Sequence, residues 1–115
     1  MRTLNGAWTY NWQGKFTDKF AEDHNTIFES FSNLYGNDNV TFISGVSYKE
    51  NASFYDMKEE NIVELVKAAK DHDYILLCLG ENSYTEKPGD LNDLNLHKLQ
   101  LKLANELSKT GKPII

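Results

Sequence analysis

The sequence predicts an α/β protein, a three-layer α/β/α sandwich around a mainly parallel sheet. Amphipathic helix patterns alternate with short apolar strand patterns along the chain, and strands separated by helical crossovers pair in parallel. The apolar run at residues 74–79 shows no alternation, which is typical of a strand buried on both faces. The last strand pattern, at residues 113–115, has run for only three residues when the sequence ends, so we expect an incomplete domain.

Three helices and three strands are predicted. Thr26 and Glu29 have the spacing of a capping box before the first helix, and Asp56 and Glu59 repeat that spacing before the second. The predicted helices cover residues 27–35, 57–71 and 96–110, and the predicted strands cover residues 40–44, 74–79 and 113–115. An irregular segment at residues 1–25 precedes this α/β core at residues 26–115.

Each of the last two helices carries an apolar stripe at helical spacing. Their stripes consist of Ile62, Leu65, Val66 and Ala69 in the second helix, and of Leu96, Leu99, Leu103 and Leu107 in the third. Such stripes are expected to face the sheet. The sequence therefore predicts one core, which is the usual number for a chain of this length.

Composition argues against several classes of function. The 115 residues include 17 Asp and Glu but only 12 Lys and Arg, so the net charge is −5 and gives no electrostatic reason to bind nucleic acid. No apolar run approaches the roughly 20 residues of a membrane helix. Cys78 is the only cysteine, and the histidines are too scattered for a zinc site. We expect no metal and no cofactor.

A polar loop follows the apolar run at residues 74–79. Loops of about fifteen residues in a compact domain usually serve a function, and ligands of open α/β sheets bind beyond the carboxyl ends of the strands. Glu81 and Glu86 flank Tyr84 in this loop. A glutamate beside an aromatic surface in a cleft can act as a general acid, whereas most loop acids are simply solvated. Residues 90–93 lack the residue order of a calcium-binding loop.

Two tryptophans lie in the irregular N-terminal segment. Trp8 and Trp12 are spread among polar and glycine positions. A flat indole can stack on the apolar face of a sugar ring, and it can equally cover the core of its own domain. The pattern alone leaves both alternatives open.

Two separate motifs carry a resemblance to a known family. Residues 4–14 read LNGAWTYNWQG, and residues 80–94 read GENSYTEKPGDLNDL. The first resembles the GGW…WQG segment of glycoside hydrolase family 3, and the second resembles that family's GE-x-x-Y-x-E-x-x-GD-x-x-x-L loop. Residues 110–115, TGKPII, resemble the strand that follows. The resemblance covers nearly the whole chain and is closest to the β-glucosidase and β-glucan exohydrolase branch.

The resemblance implies a fold and a set of site residues. The family pairs an N-terminal barrel domain with an (α/β)6 sandwich domain, and residues 1–115 are similar to the first part of that C-terminal domain. Its retaining mechanism uses an aspartate nucleophile on the barrel and a glutamate acid/base on the sandwich loop. The Tyr-Thr-Glu spelling assigns the acid/base to Glu86, and the family branch with an SGEG loop gives Glu81 as the alternative. Trp12 matches the tryptophan that stacks on the sugar in the +1 subsite, while Trp8 is expected to be structural.

The resemblance thus implies a fragment of a retaining β-glucosidase that hydrolyses terminal β-D-glucosyl residues. Its substrate would be a β-glucoside or a β-glucan oligosaccharide, and its partner the barrel domain of the parent enzyme. The isolated chain is expected to be inactive because only one of the two carboxyl groups is encoded. Exposed sheet edges are expected to favour a homo-oligomer. Family members of this type are often periplasmic or secreted.

A different class of function is the alternative. Some family members, the hexosaminidases of cell-wall recycling, take their acid/base from the barrel, so this chain could be a non-catalytic α/β binding or scaffolding module. The intact loop with Glu81, Glu86 and Asp90 argues against that alternative. A flavodoxin-like nucleotide domain is disfavoured because the phosphate-binding glycines are missing.

Overall fold

The computed structural model describes residues 24–49, 55–81 and 92–115. These residues fall into two compact units, one made of residues 24–42 and the other of residues 43–49, 55–81 and 92–115. Most of the predicted irregular segment, including Trp8 and Trp12, lies outside the described residues, and so does Glu86.

Helix α1 spans Ile27–Tyr35, as the sequence predicts. Its capping box is formed: the Glu29 backbone N–H donates to Thr26 Oγ1 at 3.0 Å, and the Thr26 N–H donates to Glu29 Oε2 at 2.7 Å. The helix ends at Gly36, whose φ of 90° lies in the region that favours glycine. A 3-10 turn, Asn37–Asn39, follows.

The first strand lies later in the chain than predicted. Residues 40–44 form no strand; strand β1 spans Val46–Tyr48 and pairs antiparallel with strand β2, Met57–Glu59. Tyr48 is opposite Met57 in this pairing. The capping box expected from Asp56 and Glu59 is therefore wrong, because the backbone at residues 57–59 pairs with β1. Sheet pairing overrides a pattern that is only local.

Helix α2 spans Ile62–Ala69 and helix α3 spans Lys98–Ser108. Both helices are shorter than the predicted ranges of residues 57–71 and 96–110. Helix α2 begins late because β2 occupies residues 57–59. Helix α3 begins after His97, whose Nδ1 accepts a hydrogen bond from the Leu99 backbone N–H at 3.2 Å, so an imidazole serves as its N-cap.

The apolar run at residues 74–79 approaches residues 113–115 in parallel, as predicted. Ile75 and Ile114 form a parallel bridge; the Ile75 N–H donates to the Pro113 carbonyl and the Ile115 N–H donates to the Ile75 carbonyl, both at 2.9 Å. The pairing is an isolated bridge rather than a regular strand. The parallel direction is nevertheless the one expected for a crossover connection through a helix.

Only one face of this run is covered by described residues. Ile75, Leu77 and Leu79 pack against the core, whereas Leu76 and Cys78 are exposed. The expectation of a strand buried on both faces is therefore wrong for the described part of the chain. The apolar residues of the run alternate between a covered face and an open one, although their sequence does not alternate.

The core of the larger unit lies between α2, α3 and the covered face of residues 74–79. Its buried members are Ile62, Ala69, Leu103 and Leu107, and its half-buried members are Val46, Leu65, Val66, Ile75, Leu77 and Leu79. The mixed α/β character is confirmed. The regular sheet in the described ranges is two-stranded and antiparallel, so these residues do not form the predicted three-layer parallel sandwich. Among them, no helix combines the length and the apolar character that a membrane span needs.

Candidate active site

The candidate loop leaves the core at Gly80 and Glu81. These residues follow directly on the run at residues 74–79, beyond Leu79, which packs on the core. Gly80 and Glu81 are both half-buried. The position matches the expectation from α/β architecture, since the loop starts at the carboxyl end of a segment that pairs in parallel.

Gly80 is held through both of its backbone groups. Its N–H donates to Gln100 Oε1 at 2.9 Å, and its carbonyl accepts from Gln100 Nε2 at 2.5 Å and from the Tyr48 hydroxyl at 2.9 Å. We call Gln100 and Tyr48 the Gly80 clamp. Because a carbonyl oxygen has two lone pairs, two donors satisfy it fully. The first residue of the loop is thus fixed from α3 on one side and from β1 on the other.

The predicted stripe of Leu96, Leu99, Leu103 and Leu107 leaves out Gln100. Leu103 and Leu107 are buried as expected, but the third buried position of α3 is Gln100, whereas Leu96 and Leu99 are only half-buried. Gln100 is only 2% exposed. The signal was present in the sequence, because a glutamine lies three and seven residues before two core leucines and therefore on the apolar face.

The far end of the loop is closed by a local turn. Asp93 Oδ1 accepts hydrogen bonds from the Asn95 backbone N–H at 2.9 Å and from Asn95 Nδ2 at 2.6 Å. Such side-chain-to-backbone bonds stabilise Asx turns. The carboxylate of Asp93 therefore shapes the approach to helix α3, which begins at Lys98.

The structure describes only one of the predicted catalytic and sugar-binding residues. Glu81 is described, but Glu86, which the motif favours as acid/base, and Trp12 lie outside the described residues. Their roles stay predictions. No group of three or more His, Cys, Asp or Glu within residues 24–49, 55–81 and 92–115 could hold a metal ion. His72 and His97 instead lie against backbone groups, Ala68 O at 2.9 Å and Leu99 N at 3.2 Å.

Two carboxyl groups have displaced pKa values for structural reasons. Hydrogen bonds from the backbone and side chain of Thr26 hold the pKa of Glu29 below its usual 4.5. Hydrogen bonds from Ser47 and from Lys58 likewise lower the pKa of Glu60; the Ser47 hydroxyl lies at 2.6 Å and the Lys58 ammonium at 3.0 Å. Both shifts favour the carboxylate, which is the opposite of what a general acid needs near neutral pH.

Comparisons with known proteins add two relatives. The chain is 28% identical over 118 aligned positions to a lysosomal beta glucosidase of Dictyostelium discoideum, an alignment that covers 100% of this chain and 14% of that protein. It is 32% identical over 71 positions to a beta-xylosidase of Formosa agariphila, covering 61% of this chain and 10% of that protein. The chain thus spans about one seventh of the first relative's length. No protein-family profile matches it.

Both relatives carry the names of enzymes that hydrolyse glycosides. The motifs at residues 4–14 and 80–94, which lie within the alignment to the first relative, indicate the same kind of protein. The chain is related to glycoside hydrolase family 3.

Proposed function

We propose that this chain contributes the acid/base loop to a retaining β-glucosidase whose other catalytic carboxylate lies on a barrel domain. The observation that carries the proposal is the loop at residues 80–94, with Glu81 and Glu86 in the order that the family motif has. The start of this loop at the carboxyl end of a parallel-paired segment supports the proposal, because ligands of α/β sheets bind there. The name of the Dictyostelium relative supports a β-glucoside as substrate.

In this proposal Glu86 acts twice. It first donates a proton to the glycosidic oxygen while the barrel aspartate attacks the anomeric carbon, so that the leaving alcohol departs neutral. It then takes a proton from the water that hydrolyses the glycosyl-enzyme intermediate. The two carboxyl groups of a retaining enzyme lie about 5–5.5 Å apart, so the loop must be held firmly against the barrel. Trp12 would stack on the sugar in the +1 subsite, which is an indole's usual contact with an apolar ring face.

We further propose that the complete C-terminal domain is a three-layer sandwich. A second helical layer would then cover the exposed face of residues 74–79, which includes Leu76 and Cys78. This is the architecture that the sequence predicts.

The test compares Glu86→Ala with Glu81→Ala in the full-length parent enzyme. Each variant is assayed with one activated and one unactivated β-glucoside, with and without azide. Glu86→Ala should lose about 10²–10⁴-fold for the unactivated substrate, whose leaving group needs the proton, and far less for the first step with the activated one. Azide, which needs no general base, should restore turnover and form a β-glycosyl azide.

The same measurements separate the alternatives. Azide rescue confined to Glu81→Ala would transfer the acid/base role to Glu81. Two variants that fail to discriminate between leaving groups would remove the catalytic role from the loop and favour a non-catalytic binding or scaffolding module.

A further inference from the structure

Gln100 is a polar side chain at a core position. It is 2% exposed and shares the buried face of α3 with Leu103 and Leu107. Burying an amide without partners costs on the order of 1–3 kcal/mol, whereas a leucine at this position would extend the apolar stripe. Gln100 therefore needs an explanation other than core packing.

The partners of Gln100 supply that explanation. Its Oε1 faces the N–H of Gly80 and its Nε2 faces the carbonyl of the same residue. The opposite orientation of the amide would set donor against donor and acceptor against acceptor, so the pairing fixes the orientation. The exchange of two hydrogen bonds resembles that between opposed residues of an antiparallel ladder. The Gln100 side chain thus forms with the Gly80 backbone the two hydrogen bonds that a residue of a neighbouring strand would form.

The Gln100 amide has one further contact, and Tyr48, the other residue of the Gly80 clamp, binds the same carbonyl. Gln100 Nε2 lies 3.4 Å from Met57 Sδ, which comes from β2 and is itself buried. The Tyr48 hydroxyl donates to the Gly80 carbonyl from β1, and Tyr48 is opposite Met57 in the sheet. Strand β1 and helix α3 therefore both supply a donor to the Gly80 carbonyl, which belongs to the peptide unit between Gly80 and Glu81.

We propose that Gln100 and Tyr48 are positioning residues for the acid/base loop: they fix the backbone at Gly80 and hence the point from which the loop leaves the core. This inference rests on the proposed function of the loop. The clamp touches no substrate; it acts by restricting where the loop can start. A displacement of about 1 Å at a reacting group can cost 10²-fold in rate. If the Gly80 backbone is held less firmly, proton transfer should therefore be impaired more than substrate binding.

The first test uses this chain. Gln100→Met keeps a similar length but removes both hydrogen bonds to Gly80, and Leu107→Val removes one methylene from the same buried face without touching Gly80. Amide hydrogen exchange by NMR should be about tenfold or more faster at Gly80 in Gln100→Met, relative to the amides of α3. In Leu107→Val the α3 amides and Gly80 should change together. Equal protection of Gly80 in Gln100→Met and the original chain would overturn the clamp.

The second test uses the full-length parent enzyme. Gln100→Met should lower kcat about tenfold or more for an unactivated β-glucoside, with little change in KM and a smaller loss for an activated one. Tyr48→Phe, which removes only the hydroxyl, should act in the same direction with a smaller loss, and it serves if Gln100→Met does not fold. Leu107→Val should affect both substrates equally.

Two results separate this inference from the function on which it rests. If Glu86→Ala or Glu81→Ala discriminates between leaving groups while Gln100→Met and Tyr48→Phe behave like Leu107→Val, the positioning role is wrong and the catalytic loop stands. If neither glutamate variant discriminates, both proposals are wrong, whatever the exchange at Gly80.

Discussion

The backbone of Gly45 lies directly against the side chain of Leu103. A Cβ placed on Gly45 would come within 2.7 Å of Leu103 Cδ1 and 3.3 Å of Leu65 Cδ1. Both leucines come from the helices that cover the core, and Gly45 immediately precedes β1. The absence of a side chain at this position thus lets the hairpin approach α2 and α3 closely.

We predict that Gly45→Ala destabilises the larger unit by about 1–3 kcal/mol, because a methyl group in a packed core forces its neighbours to shift. Urea unfolding measures the change. Gly111→Ala is the matched control: its Cβ would meet no atom within 4 Å, but its φ of 72° disfavours alanine, so it should cost about 1 kcal/mol through the backbone alone. In Gly45→Ala/Leu103→Val the two losses should be less than additive. Strict additivity would show that the two residues are not in contact.

Two leucines of α3 should respond very differently to truncation. Leu107 is 1% exposed and Leu101 is 50% exposed. Leu107→Ala removes buried atoms and leaves a cavity, so we expect a loss of about 2–5 kcal/mol. Leu101→Ala carries the same change in the same helix and should cost about 1 kcal/mol or less. Thermal or denaturant unfolding checks both, and equal losses would mean that α3 packs through a different face.

The capping box of α1 predicts a pH dependence. The pKa of Glu29 is lowered first by the backbone N–H of Thr26 and second by its side chain. Because the carboxylate is favoured in the folded state, its contribution to helix stability is present above the unfolded pKa of about 4.5 and is lost as pH falls through the lower folded value. NMR titration of the Glu29 carboxyl carbon should therefore give a midpoint below 4.5.

Substitutions at Thr26 divide that shift into its two causes. Thr26→Ala keeps the backbone donor and should raise the pKa of Glu29 only in part, at a cost of about 1 kcal/mol to the cap. Thr26→Pro removes both donors while keeping the observed φ of −70°, and it should bring the pKa closest to its usual value. Thr26→Ser should leave it low. A Glu29 pKa that is the same in all three variants as in the original chain would contradict the capping box.

We predict that the 115-residue chain alone does not hydrolyse an aryl β-glucoside. In the proposed mechanism it carries the acid/base but no nucleophile, and a general acid by itself supplies only about 10²–10⁴-fold. Release of the aryl alcohol measures the activity, with the full-length parent as positive control. Turnover by the purified chain that Glu86→Gln abolishes would show that a complete site lies within these residues.

The sequence by itself determined the features whose cause is local. Thr26 and Glu29 are three residues apart, so the bonds that start α1 depend on nothing outside that turn. The end of α1 at Gly36 likewise follows from the backbone of one residue. The stripe of α2 likewise depends only on helical spacing. Residues 75 and 114 are distant in sequence, but the parallel direction of their pairing is the one that a helical crossover favours.

Only the tertiary structure decided which backbone groups form hydrogen bonds with residues distant in sequence. Asp56 and Glu59 have the spacing of a cap, yet the backbone that follows Asp56 pairs with β1, because a ladder shared with another strand satisfies more groups than one local bond. Gly80 and Gln100 are 20 residues apart, so no local pattern links them. A glutamine on an apolar stripe shows that a partner must exist, and only the folded chain shows that this partner is the backbone at the start of the candidate loop.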